Sequence, residues 1–307
     1  MSSPVFHLSM TRRRWCAWSG TGLMAWALPG CSAFNHVGPN AMAPQETPPP
    51  WGSPPRVAVV LGSGGPRGYA HIGVMRVLED AGIRPDLIVG ASVGALLGAF
   101  WASGLDAATI DEMSWQGGPL TLFDPSPFAD RGWIHGRRLQ AYVNDRLAHA
   151  TIEQLPTRLV IAATRRHDKA PVYFDRGDIG VAVRASSAMP GIVSPVGVMG
   201  VEYEDADASV PVPVSVARRL GARFVIAVDV SARRGTTPVQ APAWKKARDE
   251  ARWQRIEPEV RHADFLFHPD LDYDAGPWPS YFRMARVRGE LHASDRLPAL
   301  LRALSKA

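Results

Sequence analysis

The chain has 307 residues, 46% of them hydrophobic and 21% charged, which is the balance of a globular protein long enough to bury a real core. Its net charge is +5; without Arg12, Arg13 and Arg14 of the N-terminal segment it is +2, too little to argue for nucleic acid. Cys16 and Cys31 are the only cysteines, so everything beyond residue 31 lacks a Cys nucleophile, Cys-ligated zinc and an internal disulfide.

Residues 1–30 read as a targeting segment. "TRRRW" is a basic n-region, and "WCAWSGTGLMAWAL" is an apolar stretch too short to span a bilayer comfortably. It runs into "LPGC", residues 28–31, which resembles the bacterial lipobox, where the Cys is acylated and becomes the mature N-terminus. Cys31 is therefore the expected lipid attachment. The expected localisation is an exported lipoprotein facing the periplasm. Ser32 follows the Cys where an Asp favours inner-membrane retention in similar lipoproteins, so the outer membrane is favoured. Arg12-Arg13 with Trp15 also resembles a twin-arginine signal, and the export route stays open between Sec and twin-arginine. Residues 31–55, rich in Pro and polar residues, read as an extended tether.

The pattern changes at Arg56, where a domain over 56–307 begins. "VAVVL" (57–61) is a short buried strand, followed by a helix over 67–82. "LIVGAS" (87–92) is a second buried strand, followed by a small-residue helix. Strand–helix–strand–helix of this length predicts a βαβ unit and a parallel sheet, hence an α/β fold. Further strands are expected at 159–164, 171–174, 200–203, 224–230 and 264–267. Helices are expected at 136–147, 213–222, 241–263, where Pro258 interrupts a segment of mixed charge, and 297–304. Trp101, Trp115, Trp133, Trp244, Trp253 and Trp278 read as ordinary core and surface packing, against the alternative that some line an acyl groove or touch a bilayer surface.

Two glycine motifs carry chemistry. "GASVG" (90–94) is G-x-S-x-G between a strand and a helix, the setting of a nucleophile elbow. It nominates Ser92 as a nucleophile, against the plainer role of a helix cap. "GSGGPRG" (62–68) also joins a strand to a helix. Its third glycine is one place late for a dinucleotide fingerprint, and no acid ends the next strand. In a parallel βαβ unit both turns face one crevice. That favours an oxyanion hole at Gly64 and Gly65, with Arg67 donating its amide or fixing the loop; Pro66 has no N–H to give. The base stays open between an Asp and a triad histidine, His268, while His71 reads as packing or helix-dipole related.

Together these segments, with "AVRASSAMPGIVSPV", "YEDADASVPVPVSVARRLGA" and "FVIAVDVS", resemble the patatin-like phospholipase family over roughly 56–231, with a weaker tail to about 305. The resemblance implies a three-layer α/β/α fold with a mostly parallel central sheet. It implies a Ser–Asp dyad acting on acyl esters of lipids, with no metal and no organic cofactor; the membrane surface as a partner follows from the acylated Cys31. It places the nucleophile at Ser92 and the oxyanion loop at Gly64, Gly65 and Arg67. Counting back from Pro211-Val212-Pro213-Val214, it places the base at Asp205. Two departures from the family pattern matter. Ser63 replaces a glycine, and Asp205 is followed by Ala206 and Asp207 where the family has two small residues beginning with glycine. If position 206 needed a positive φ, Ala would cost roughly 1 kcal/mol. An inward Asp207 would raise the Asp205 pKa. The alternative function is therefore a catalytically weak patatin-fold lipoprotein that binds lipid or a protein partner.

Overall fold

The computed structural model describes residues 53–307. The signal segment, Cys31 and nearly all of the tether lie outside the described residues. The strands are β1 (Val57–Leu61), β2 (Leu87–Ala91), β3 (Arg158–Arg165), β4 (Pro171–Phe174), β5 (Val196–Val198), β6 (Val201–Glu204), β7 (Phe224–Val228) and β8 (Phe265–Phe267). Among the described residues they form one eight-stranded sheet, ordered β5-β6-β3-β2-β1-β7-β8, with β4 also on β3. β3, β2, β1, β7 and β8 are parallel, in registers such as Val59↔Ile88, Val89↔Val160 and Val59↔Ile226. Such strands are covered on both faces, so β2 and β7 are apolar and buried along their whole length.

Alternation along each strand divides the core. Val59, Leu61, Ile88 and Ile161 face one helical layer, with α1 (Tyr69–Asp80), α2 (Val93–Ala102), α3 (Ala107–Thr121), α4 (Arg137–Arg146), α5 (Ile179–Ser186) and α8 (Pro279–Leu304). Ala58, Val60, Val89 and Ala162 face the other, with α6 (Val214–Arg219) and α7 (Ala243–Val260). The result is a three-layer α/β/α fold with a mixed sheet. Antiparallel strands gather at one end of it, where β4 and β6 pair with β3 and β5 pairs with β6.

Most of the expected elements form. The exceptions have local causes. The helix expected from 67 begins at Tyr69, because Gly65–Gly68 is a tighter 3-10 turn opened by Pro66. Pro258 does not interrupt α7, which runs to Val260. The terminal helix is far longer than 297–304 and carries Pro298 inside it. α8 lies against α1 so closely that a methyl on Gly289 would meet the Ala70 carbonyl at 2.2 Å.

Candidate active site

β1 and β2 are parallel neighbours, so the turns after both open at the same edge of the sheet. Ser92 follows β2 with φ 53° and ψ −120°, a conformation that non-glycine residues rarely adopt. Its hydroxyl makes no capping bond to α2. The elbow is kept tight by close packing, since a methyl on Gly94 would meet the Leu61 carbonyl oxygen at 2.1 Å. The Ser92 amide donates to Ser186 Oγ at 2.7 Å, and its hydroxyl donates to Asp205 Oδ2 at 2.8 Å.

A two-residue hairpin brings Asp205 there. Met199 and Gly200, both at positive φ, turn β5 into β6. β6 then runs antiparallel to β3 as far as the Thr164↔Glu204 pair, and Asp205 comes next. Its amide donates to the Ala188 carbonyl at 2.9 Å. Its own carbonyl accepts from Thr164 Oγ1 at 2.8 Å. Its Oδ1 accepts from the Asp207 amide at 2.8 Å. Asp205 is 2% exposed, and burial pushes its pKa up to about 7, helped by the Asp207 charge and opposed by the bonds from the Asp207 amide and Ser92 and by the nearby Arg252. A carboxylate this basic can accept the Ser92 proton near neutral pH.

The glycine turn is held from three sides. The Gly62 amide donates to the Val228 carbonyl at 3.0 Å and the Ser63 amide to the Pro211 carbonyl at 2.8 Å. His71 Nε2 lies 2.8 Å from the Gly62 carbonyl. His71 is fully buried, and burial lowers its pKa to about 4, so it stays neutral and serves the loop. Gly64 and Gly65 line the cleft with Ser92 and Asp205. Arg67 is committed to the loop. Its amide donates to the Gly64 carbonyl at 3.2 Å, and its guanidinium reaches the backbone carbonyls of Asp272 and Tyr273. The Arg67 amide is thus engaged within its own turn.

His268 does not join this group. It closes β8 with Nε2 at 3.1 Å from the Ser231 carbonyl and 3.7 Å from Asp229, in a separate pocket with His292 and Arg296. Both departures from the family pattern are accommodated. Ala206 and Ser63 do not have positive φ; Ala206 opens a short 3-10 turn. The Asp207 carboxylate accepts from Ser63 Oγ and, at 2.7 Å, from Arg252 Nε. Arg252, on α7, was invisible to motif reading; only the packing of α7 brings it to this turn.

Among the described residues no group of three His, Cys, Asp or Glu is placed to hold a metal. No helix among them is long and apolar enough to cross a membrane.

The family model described as patatin-like phospholipase matches residues 59–218, more than half of the chain. An uncharacterised NTE family protein of Mycobacterium tuberculosis is 37% identical over 185 residues, which cover 58% of this chain and 50% of that protein. Lysophospholipase nte1 of Aspergillus fumigatus is 28% identical over 187 residues, covering 59% of this chain and 12% of that one. The chain therefore spans at most half the length of these relatives. Among solved structures, VipD from Legionella pneumophila shares the fold with a TM-score of 0.52 at 12% identity, covering 81% of this chain and 66% of that one. With the matched region spanning both glycine turns, Ser92 and Asp205, the chain belongs to the patatin-like phospholipase family.

Proposed function

We propose that the protein is a serine hydrolase of lipid acyl esters that works through a Ser92–Asp205 dyad. The observation that carries this reading is the 2.8 Å hydrogen bond from the strained Ser92 to a buried carboxylate with its pKa raised to about 7. Ser92 Oγ attacks the acyl carbonyl carbon, and its proton passes to Asp205 Oδ2. The Gly64 and Gly65 amides receive the oxyanion of the tetrahedral intermediate, assisted by the N-terminal end of α2. Collapse breaks the ester C–O bond, and Asp205 returns its proton to the departing alcohol. A water molecule then gives a proton to Asp205 and attacks the acyl-Ser92 carbonyl, and the second collapse releases the fatty acid and restores Ser92.

Met189, Pro190 and Ile192 line the cleft, and Met189 and Ile192 are each 44% exposed, which suits an acyl chain. Phe128 and Trp133 add exposed aromatic surface, at 84% and 74%. With Cys31 acylated, the domain works as an anchored lipoprotein at a membrane surface, with the tether allowing approach to its substrate. An active-serine fluorophosphonate probe tests the nucleophile: labelling of wild type at Ser92, lost in Ser92→Ala, supports the dyad. An intact wild type that takes no label favours the catalytically weak lipid binder instead.

A further inference from the structure

Asp229 is a buried carboxylate, 1% exposed, that takes no part in the proposed dyad and directly follows β7. β7 is a parallel neighbour of β1, so the segment after β7 leaves the sheet beside the glycine turn. Val230 is fully buried there and packs on Gly64. A methyl on Gly64 would meet Val230 Cγ2 at 2.6 Å and the Val230 carbonyl oxygen at 3.5 Å. Gly64 has no side chain to hold it in place, so its position depends on what lies over it.

The residues on either side of Val230 are fixed by side chains. Asp229 Oδ1 accepts from the Ser231 amide at 2.9 Å and from the Ser231 hydroxyl, which closes a turn with Val230 at its centre. Asp229 Oδ2 lies 3.7 Å from His268 Nε2, and the same nitrogen lies 3.1 Å from the Ser231 carbonyl. Two oxygen acceptors face this nitrogen, so it carries the proton and donates to the Ser231 carbonyl. His268 is itself held from two helices. Its backbone amide donates to His292 Nε2 of α8 at 3.2 Å, and the Trp253 ring of α7 stands 5.7 Å from its imidazole. The Asp229 charge also acts on His71, which holds the Gly62 carbonyl at the start of the glycine turn.

We propose that His268 and Asp229 are a positioning pair for the oxyanion hole. By fixing Val230 against Gly64, they aim the Gly64 and Gly65 amides at the acyl oxygen of an ester on Ser92. This rests on the hydrolase reading above and adds to it two residues that touch neither the substrate nor the reacting atoms. It gives His268 a role other than that of a triad base. Amide donors stabilise the oxyanion only if they already point to the place it takes in the transition state. A turn free to shift would still bind the ester and would lose rate.

The test compares the full chain with His268→Ala, His268→Gln, Asp229→Ala, Asp229→Asn and Val230→Ala. Arg296→Gln, on the wall of the pocket that holds His268, is the control. Hydrolysis of 4-nitrophenyl butyrate separates kcat from KM, and amide hydrogen exchange reads the glycine turn. His268→Ala is expected to lower kcat about tenfold, with KM changed less than about twofold. His268→Gln keeps a donor for the Ser231 carbonyl and is expected to recover about a third of the wild-type kcat. Asp229→Asn keeps an acceptor for the Ser231 amide and is expected to exceed Asp229→Ala. The Gly62 and Ser63 amides are bonded to the Val228 and Pro211 carbonyls. Their exchange is expected to quicken about tenfold in His268→Ala and to stay at the wild-type rate in Arg296→Gln. Exchange is read whether or not the wild type hydrolyses esters. An inactive wild type therefore removes the hydrolase reading, while exchange still decides the positioning. Where His268→Ala does not fold, Val230→Ala, which withdraws the contact on Gly64, decides by the same two readouts. Wild-type kcat or wild-type exchange in folded His268→Ala overturns the proposal. A loss carried by KM alone, or a His268→Gln no better than His268→Ala, also overturns it.

Discussion

The Ser63 hydroxyl donates a hydrogen bond to the Asp207 carboxylate, tying the glycine turn after β1 to the turn that carries Asp205. Ser63 and Asp207, two of the three residues at which the sequence departs from the family pattern, thus lie against each other. Arg252 closes the pair from α7, with Nε 2.7 Å from Asp207 Oδ1 and Nη2 3.0 Å from Ser63 Oγ. The extra carboxylate beside Asp205 is thus paired with a cation that reaches the glycine turn as well.

On the proposed dyad, this arrangement sets the pH dependence of catalysis. Asp205 must be ionised to accept the Ser92 proton, so kcat/KM should rise with pH through about 7. Arg252 favours the ionised form and the Asp207 charge opposes it. Arg252→Ala should therefore move the rising limb to higher pH, and Asp207→Asn should move it to lower pH, each by roughly half a unit to one unit. A pH profile of kcat/KM for the three proteins checks both directions.

The same carboxylate burdens the fold. Its pKa is about 7 when folded against an ordinary 3.8, so between those values the folded state holds a proton that the unfolded state has lost. Stability therefore falls as pH rises through this window. Asp205→Asn cannot ionise and escapes that loss. It should be near wild type in stability at pH 4 and more stable at pH 8, by a few kcal/mol in order of magnitude. Urea unfolding at the two pH values checks this, alongside its loss of activity.

The elbow itself rests on close packing. The added methyl of Gly94→Ala would meet the Leu61 carbonyl at 2.1 Å, and backbone cannot move aside cheaply. It should lose roughly 2–3 kcal/mol of stability and about 5 °C or more in Tm. Thermal unfolding by circular dichroism reads the change.

What the sequence made legible followed from local rules. Ser92 and the glycine turn stand between buried apolar runs and helix starts, so their setting could be read directly. Asp205 was nominated only through the family resemblance, counted back from Pro211-Val212-Pro213-Val214, and the fold sets it 2.8 Å from Ser92 Oγ. In the fold Pro211 anchors the Ser63 amide, and Val212 packs where a side chain on Gly62 would go. Arg252 was not legible, because its meaning depends on where a helix some 45 residues beyond Asp207 comes to rest. The length of α8 was missed for a related reason. Pro298 near Leu297 looks like a helix start, yet packing on α1 carries the helix through it. α5 contributes Ser186 to the site and lay inside a segment matched to the family without being read as a helix.

The anchor has its own test. With Cys31 as the acylated residue, Cys31→Ser should move the protein from the membrane fraction to the soluble fraction while the domain stays folded. Fractionation followed by immunodetection reads the distribution.

The central claim is the Ser92–Asp205 dyad, and lipid-product analysis tests it most directly. Purified wild type, Ser92→Ala and Asp205→Asn are incubated with 1-lauroyl-glycerol 3-phosphate, and released laurate is measured by mass spectrometry. The dyad predicts laurate release by wild type and a loss of about a thousandfold or more in each variant. Release by folded Ser92→Ala at the wild-type rate would contradict it.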